Sequence, residues 1–541
     1  MRETLKMPKP ATPLDDRSLL ELEAKYCSWG DTVHYTDRLT IFRRAEGSYL
    51  YDGAGVEYLD LQMWYSAASF GYKHPRLTAA MKRQLDTLPQ LACQYLHEEK
   101  IQLAARLAQR IEKTFGVKGR VHFNVGGSAA IEDSLKLVRS STGKNLVFAF
   151  MGGYHGRTLA ASAITSSYRY RERFGHFSDR ACFVPFPYAF RCPQVHGGET
   201  CTHHCLKEFE RLFETEYHGV VNPKTGNCEF GAFYIEPVQG TGGYIVPPPD
   251  YFSRLKEILD RYHILMVDDE IQMGFFRTGK FWAIEHFHIV PDIIVFGKAL
   301  TNGLNPLSGI WAKEGLIAPE LFPPGSTHST FSSNPLGTAV GLETMKLLEE
   351  DEPYFTQEVP KKGAYFVTGL KRLQKTYPQI GDVGGLGLAI RVEICQKDGV
   401  TPNKELTDAI TRIGLSGTLE VRGKRRGLVL DVGGYYKNVL TLAPSLYIRE
   451  DEIDLAIDLF EEALRQGIAM TSDGKLAASS VFLPRREAHR VTVSRGAPPR
   501  QGGVAPMMSP RVPAPARAGV GPGGRHPAHP LDGAHPRGPR P

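Results

Sequence analysis

No stretch of the 541 residues approaches the roughly 18 consecutive apolar residues that a membrane-spanning helix requires. The opening MRETLKMPKPATPLDDRSLLELEAKY has no apolar core of the kind a secretory signal needs. Cysteine is scarce, with eight scattered along the chain, so no disulfide framework is expected and the cytoplasm is the expected compartment. An excess of one charge sign is also lacking over most of the chain. The formal net charge is +6, but Arg485 to Pro541 holds ten arginines against Glu487 and Asp532, which leaves the preceding chain slightly acidic. No nucleic-acid or membrane-surface partner is therefore expected. From Arg500 onwards large apolar residues nearly vanish among Pro, Gly, Ala, Arg and His. Such a segment cannot bury a core, and disorder is expected there.

The elements that are present fall into four segments. Residues 1–75 are expected to form an arm and a hairpin, with one helix carrying Leu19, Leu20, Leu22 and Tyr26, and alternating residues from Gly47 to Leu61 around a Gly-rich turn. Residues 76–335 repeat strand, loop and helix. The strand candidates are Val121–Phe123, Leu146–Phe150, Ala181–Val184, Ala232–Ile235, Ile264–Val267 and Ile293–Phe296. Helical periodicity marks Leu77–Leu85, Glu98–Phe115 and Phe252–Tyr262. This alternation predicts an α/β fold, a mainly parallel sheet with helices on both faces. Residues 336–475 read as a smaller α+β unit, from a helix at Gly337–Glu350 through glycine turns at Gly384–Gly387 to a last helix, Glu450–Gln466. Residues 476–541 are the tail.

The stretch around which the chain is organised is Leu265–Lys298. Two short apolar runs in it deliver Asp269 and Lys298, at the carboxyl ends of parallel strands, where open α/β sheets bind ligands. A lysine can form a Schiff base with pyridoxal phosphate, and a carboxylate can keep the pyridine nitrogen protonated. Taken alone, either residue fits a surface lysine or an N-capping aspartate better. Two further motifs bear on the choice. Val121-His-Phe-Asn-Val-Gly-Gly-Ser128 is a strand followed by a small-residue turn, and Ile131, Leu135 and Val138 mark a buried helix face behind it. Backbone N–H groups at Gly126, Gly127 and Ser128 can receive a phosphate. In Phe150-Met-Gly-Gly-Tyr-His-Gly-Arg-Thr158, Tyr154 or His155 can cover a flat ring, and Arg157 can fork onto a carboxylate.

Together these segments resemble the class III (ω-type) aminotransferases. Gly153-Tyr-His-Gly-Arg-Thr158, Ile235-Glu-Pro-Val-Gln-Gly-Thr-Gly-Gly243, Val267–Lys280, Pro291–Lys298 and Ser329–Pro335 occur in the order that family shows, from about Gly47 to Gln466. The resemblance implies the fold type I architecture of pyridoxal-phosphate enzymes, with a seven-stranded-type sheet, and a homodimer. It implies Lys298 as the Schiff-base lysine, Asp269 as the partner of the pyridine nitrogen and Gln272 as the donor to the phenolic oxygen. Tyr154 would stack on the ring, while Gly127 and Ser128 would hold the phosphate, although this turn reads Val-Gly-Gly-Ser where the family usually has Asn-Ser-Gly-Thr/Ser. Thr330 would reach the phosphate of the neighbouring subunit.

Two departures concern the substrate. Glutamate-using members carry a gating glutamate and arginine, and the matching positions here are Thr241 and Thr441. Losing both together is coherent, because losing one would strand a partly buried charge. Tyr65 matches a substrate-pocket tyrosine and with Arg157 would hold the carboxylate of an ω-amino or diamino acid; Trp64 is either an apolar wall or a core residue. Cys192, Cys201, His203, His204 and Cys205 have spacing that can suggest zinc, but a solvent-side loop with free thiols is expected and no metal is assigned. The expected activity is transfer of an amino group from an ω-amino or diamino acid, or another primary amine, to an oxo acid. The alternatives are a non-transaminating enzyme of the same fold (racemase, aminomutase, decarboxylase or phospho-lyase) and a cofactor-binding scaffold without turnover.

Overall fold

The computed structural model describes residues 14–28, 30, 39–175, 177, 180–192 and 201–472; the expected tail, 476–541, lies outside them. Seven strands make the central sheet: β1 Gly119–Asn124, β2 Leu146–Phe150, β3 Cys182–Val184, β4 Phe230–Ile235, β5 Leu265–Asp269, β6 Ile293–Phe296 and β7 Ser308–Lys313. They lie in the order β1-β7-β6-β5-β4-β2-β3. All run parallel except β7, which is antiparallel to both β1 and β6. The mainly parallel α/β expectation is met, with β7 as an unforeseen addition.

Both faces of this sheet are buried, which is why its strands read as unbroken apolar runs. Phe148, Phe150, Phe233, Ile235, Met266, Ile294 and Phe296 point into one core. Val147, Ala149, Ala232, Tyr234, Val267, Ile293 and Val295 point into the other, with Ile131, Leu135 and Val138 of the helix Gly127–Thr142. Asp269 follows Val267 by two residues and so shares its face.

The chain's first strands, Phe42–Glu46, Tyr49–Asp52 and Glu57–Asp60, form an antiparallel meander. Lys424–Val429 joins it, running parallel to Glu57–Asp60 and antiparallel to Leu419–Val421. A third, antiparallel sheet holds Ile380–Leu386, Ala389–Ile394, Val439–Leu442 and Asp431–Gly433. Gly384 and Gly385, expected in a turn, are paired within it opposite Arg391 and Ile390. At the junction of the meander with Lys424–Val429, Gly427 faces Tyr58, and a Cβ at Gly427 would run into the buried Tyr58 ring. Gly427→Ala is therefore expected to destabilise the protein by about 1–3 kcal/mol, measured as a lowered denaturation midpoint at unchanged slope.

Candidate active site

Asp269 ends β5 as its last residue, where a position just past the strand was expected, and it pairs in register with Val295 on β6. Lys298 follows β6 after Gly297 and opens a 3-10 turn, Lys298–Thr301, with its own φ at +42°. A left-handed φ is unfavourable for a residue with a side chain, so the surrounding turn must hold this lysine in place. The Asp269 Oδ2 atom lies 2.8 Å from His155 Nδ1, both side chains being buried, and Asp269 Oδ1 accepts from the Ile271 N–H at 3.2 Å. Burial depresses the Lys298 ammonium below the usual lysine value, against the pull of Asp269, Glu236 and Asp431. A lysine that loses its proton more easily is a better nucleophile and base.

Glu236 stands one residue beyond β4 and accepts from the Tyr154 N–H at 2.9 Å and the Gly240 N–H at 2.8 Å. Burial pushes its carboxyl up to about 7, with Asp269 adding, while His155 and the two amides oppose. The folded protein then binds this proton more tightly than the unfolded chain, so stability falls as pH rises from about 4.5 to about 7. In the cofactor-free protein, Glu236→Gln is expected to flatten that fall, as read from denaturation midpoints at pH 5 and pH 8.

The helix Gly127–Thr142 starts from Gly126 with no side-chain cap, which leaves first-turn N–H groups free to meet an anion. The Gly153–Arg157 loop is tied to that turn. The Arg157 N–H donates to Ser128 Oγ at 3.1 Å, and Gly156, at φ +124°, comes so close to Ser128 that a Cβ there would collide. Gln272 donates to Tyr244 Oη at 2.9 Å. Tyr154 packs edge-on against Tyr170 at 5.2 Å, and the Arg157 guanidinium sits 4.6 Å from the Tyr170 ring centre. Arg157 is thus held over an aromatic ring near Tyr154, whose hydroxyl also feels Tyr65.

Trp64 and Tyr65 belong to a left-handed turn, Met63–Ser66, with φ values of +43°, +52°, +56° and +66°. Such residues cost roughly 1–2 kcal/mol each. Asp60 secures the turn by accepting from the N–H groups of Gln62 at 2.7 Å and Met63 at 2.9 Å, and Tyr72 Oη donates to the same carboxylate at 2.7 Å. Trp64 is 55% exposed, which rules out the core-packing alternative in this chain. Thr330 is exposed on the approach to the helix Pro335–Glu350. The Thr241 carbonyl accepts from Gly434 N–H at 3.0 Å, and Thr441 is buried beside Gly433. The expected thiol loop is corrected in part: Cys201 and Cys205 lie on a helix, Cys201–Glu210, and are buried with their sulfurs 3.9 Å apart. Both belong to the main hydrophobic core, so they are not solvent-side. Among the described residues no group of three His, Cys, Asp or Glu is arranged to hold a metal ion.

Asp431, near Lys298, received no role from sequence; a single acid inside the apolar run Gly427-Leu-Val-Leu-Asp-Val432 was the available signal.

An uncapped helix N-terminus, a nucleophilic lysine, a buried acid and an aromatic loop fit pyridoxal phosphate, and they sit at the strand ends of a fold type I sheet. The fold and its donor set define a pyridoxal-phosphate enzyme. The family description "Aminotransferase class-III" matches residues 32–464, and the chain belongs to that family. It is 30% identical over 452 residues to an alanine/serine racemase of Pyrococcus horikoshii, covering 83% of this chain and 90% of that protein. It is also 30% identical over 426 residues to a diaminobutyrate–2-oxoglutarate aminotransferase of Haemophilus influenzae, covering 78% and 90%. Among solved structures, an (S)-enantioselective omega-transaminase from Thermomicrobium roseum superposes with a TM-score of 0.74 at 25% identity, covering 84% of this chain and 100% of that one. The chain is a class III aminotransferase that uses pyridoxal phosphate.

Proposed function

We propose that Lys298 would hold the cofactor covalently and that its amine, when free, would carry the proton that the donor's carbon releases. When bound, pyridoxal phosphate supplies an electron sink for that carbon. Asp269 holds the ring nitrogen in its protonated state, oriented in turn by His155. The observation that carries this reading is the placement of Asp269 and Lys298 at the ends of adjacent parallel strands, with Ile271, two residues past Asp269, against Gly127 at the first turn of the helix Gly127–Thr142. Gly127 and Ser128 hold the phosphate, Tyr154 covers the ring and Gln272 reaches its phenolic oxygen. Arg157, with Tyr65, receives the carboxylate of the ω-amino or diamino acid, as it does that of the oxo acid. Thr330, exposed in the single chain, completes the phosphate site of the neighbouring subunit in a homodimer. Cys27, Cys93, Cys182, Cys201, Cys205, Cys228 and Cys395 are free thiols, which supports a cytoplasmic protein.

The domain division follows the same reading: 76–335 holds the cofactor, and 336–475 closes over it. A second reading, amino-acid racemisation, is favoured by Thr241 and Thr441 in place of the charged gate and by a racemase relative. One experiment separates the two. Holoenzyme incubated with a donor and an oxo acid should yield a new amino acid and the donor's oxo product in equal amounts. Inversion of the donor without an oxo product would instead establish the racemase.

A further inference from the structure

We propose that Asp431 is the donor-recognition residue of this site, and that the preferred donor carries a second ammonium group. The inference deepens the aminotransferase reading and rests on it.

Asp431 opens the strand Asp431–Gly433 and pairs directly opposite Thr441. Thr441 Oγ1 donates to its Oδ2 at 3.0 Å, and Gln62 Nε2 donates to its Oδ1 at 3.4 Å. Both partners are neutral, and among the described residues Asp431 has no ion pair. Gln62 leads into the left-handed turn that presents Trp64 and Tyr65. The Asp431 carboxylate acts electrostatically on Lys298 and on Tyr244, the phenol bonded to Gln272. Lys437 also feels it, from its own side, without forming an ion pair. Asp431 therefore stands on the side of the site lined by Thr241 and Thr441, hydrogen-bonded only to neutral partners and within the electrostatic reach of Lys298 and Lys437 but in no ion pair with either. A carboxylate head arriving there would meet a like charge and no arginine, whereas an ammonium head would complete an ion pair.

The cation of the site, Arg157, is held elsewhere, on the Tyr154–Tyr170 side. The two ends thus differ in sign. Arg157 suits the carboxylate of the amine acceptor, and Asp431 suits a cationic donor: a linear diamine or the distal amine of a dibasic amino acid. Complementary charge placed this way discriminates between donors of equal length and apolar area.

Three probes of one chain length test the inference in holoenzyme: 1,5-diaminopentane, pentylamine and 5-aminopentanoate. Each is followed by the spectral change of the bound cofactor, for kcat/KM of the donor half-reaction, and by calorimetry, for affinity. The diamine is expected to exceed pentylamine by about tenfold or more, and to exceed 5-aminopentanoate as well. Asp431→Asn should bring the diamine-to-pentylamine ratio close to one, and Asp431→Glu should restore most of it. A purely structural acid would lower all three donors together and leave the ratio unchanged, which overturns the proposal, as does a wild-type preference for 5-aminopentanoate. If no donor passes its amine to an oxo acid, the aminotransferase reading fails. The calorimetric ratio then still decides whether Asp431 selects a second ammonium.

Discussion

Replacing Lys298 by alanine is expected to reduce turnover by about 10⁴-fold or more, since a positioned general base alone contributes about 10²–10⁴ and covalent attachment is lost with it. The variant should still fold, because Lys298 makes no ion pair among the described residues and its +42° φ is no worse for alanine. Lys298→Arg is expected to fail equally, as a guanidinium does not give up its proton to act as nucleophile or base. Borohydride treatment of the wild-type holoenzyme should fix the cofactor to one peptide, and mass spectrometry should place it on Lys298. An adduct on any other lysine would sink the assignment. The lysine sits one residue past Gly297, where an added Cβ would crowd Ser308 at the start of β7. The antiparallel strand thus backs the turn that carries the nucleophile.

Asp269→Asn is expected to cost about 10²–10³-fold in the donor half-reaction, the range seen when one preorganised electrostatic partner is removed. It should also leave a signature in stability. Burial lowers the His155 pKa, but the hydrogen bond and charge of Asp269, with Glu236 adding, raise it to a net value above the ordinary imidazole range. A histidine whose folded pKa is raised contributes its stability in full below the unfolded value of about 6.5, and loses it as pH rises through the folded value. Without Asp269, burial acts with much less opposition, and the charged imidazole becomes a liability. The stability deficit of Asp269→Asn, measured on cofactor-free protein, should therefore be largest near pH 5.5 and shrink by pH 9. A deficit independent of pH would show that the pair does not share a proton in the way described.

Six strands of the central sheet were legible because burial on both faces writes them as apolar runs. The seventh, β7, begins Ser308-Gly309 and ends at Lys313. Small residues are needed there because Gly309 lies against the His122 carbonyl and Phe296, a tertiary demand that no local pattern announces. Phe42–Glu46 was missed for a different reason: it is an edge strand whose arginines face solvent. At the site, Lys298 and Asp269 stood out as charges at the ends of apolar runs, and the motif resemblance assigned their partners. Asp431 escaped notice because its meaning depends on register. Only the pairing with Thr441 puts it opposite the position that the resemblance matches to the gating arginine. The thiols of Cys201 and Cys205 were misplaced because the polar residues around them hid a helix that turns both sulfurs inward.

The parallel pairing of Glu57–Asp60 with Lys424–Val429 has a consequence for how the enzyme is made. Lys298 and Asp269 belong to a stretch that can close its sheet once residue 313 has left the ribosome. The wall that faces them cannot. Gln62 and the turn behind it arrive near the start of synthesis, held by Asp60, but meet the strand of Leu428 and Asp431 only some hundred residues after β7. Non-local pairings of this kind form late. A nascent chain thus lays down the strands that carry Asp269 and Lys298 well before the strand that carries Asp431.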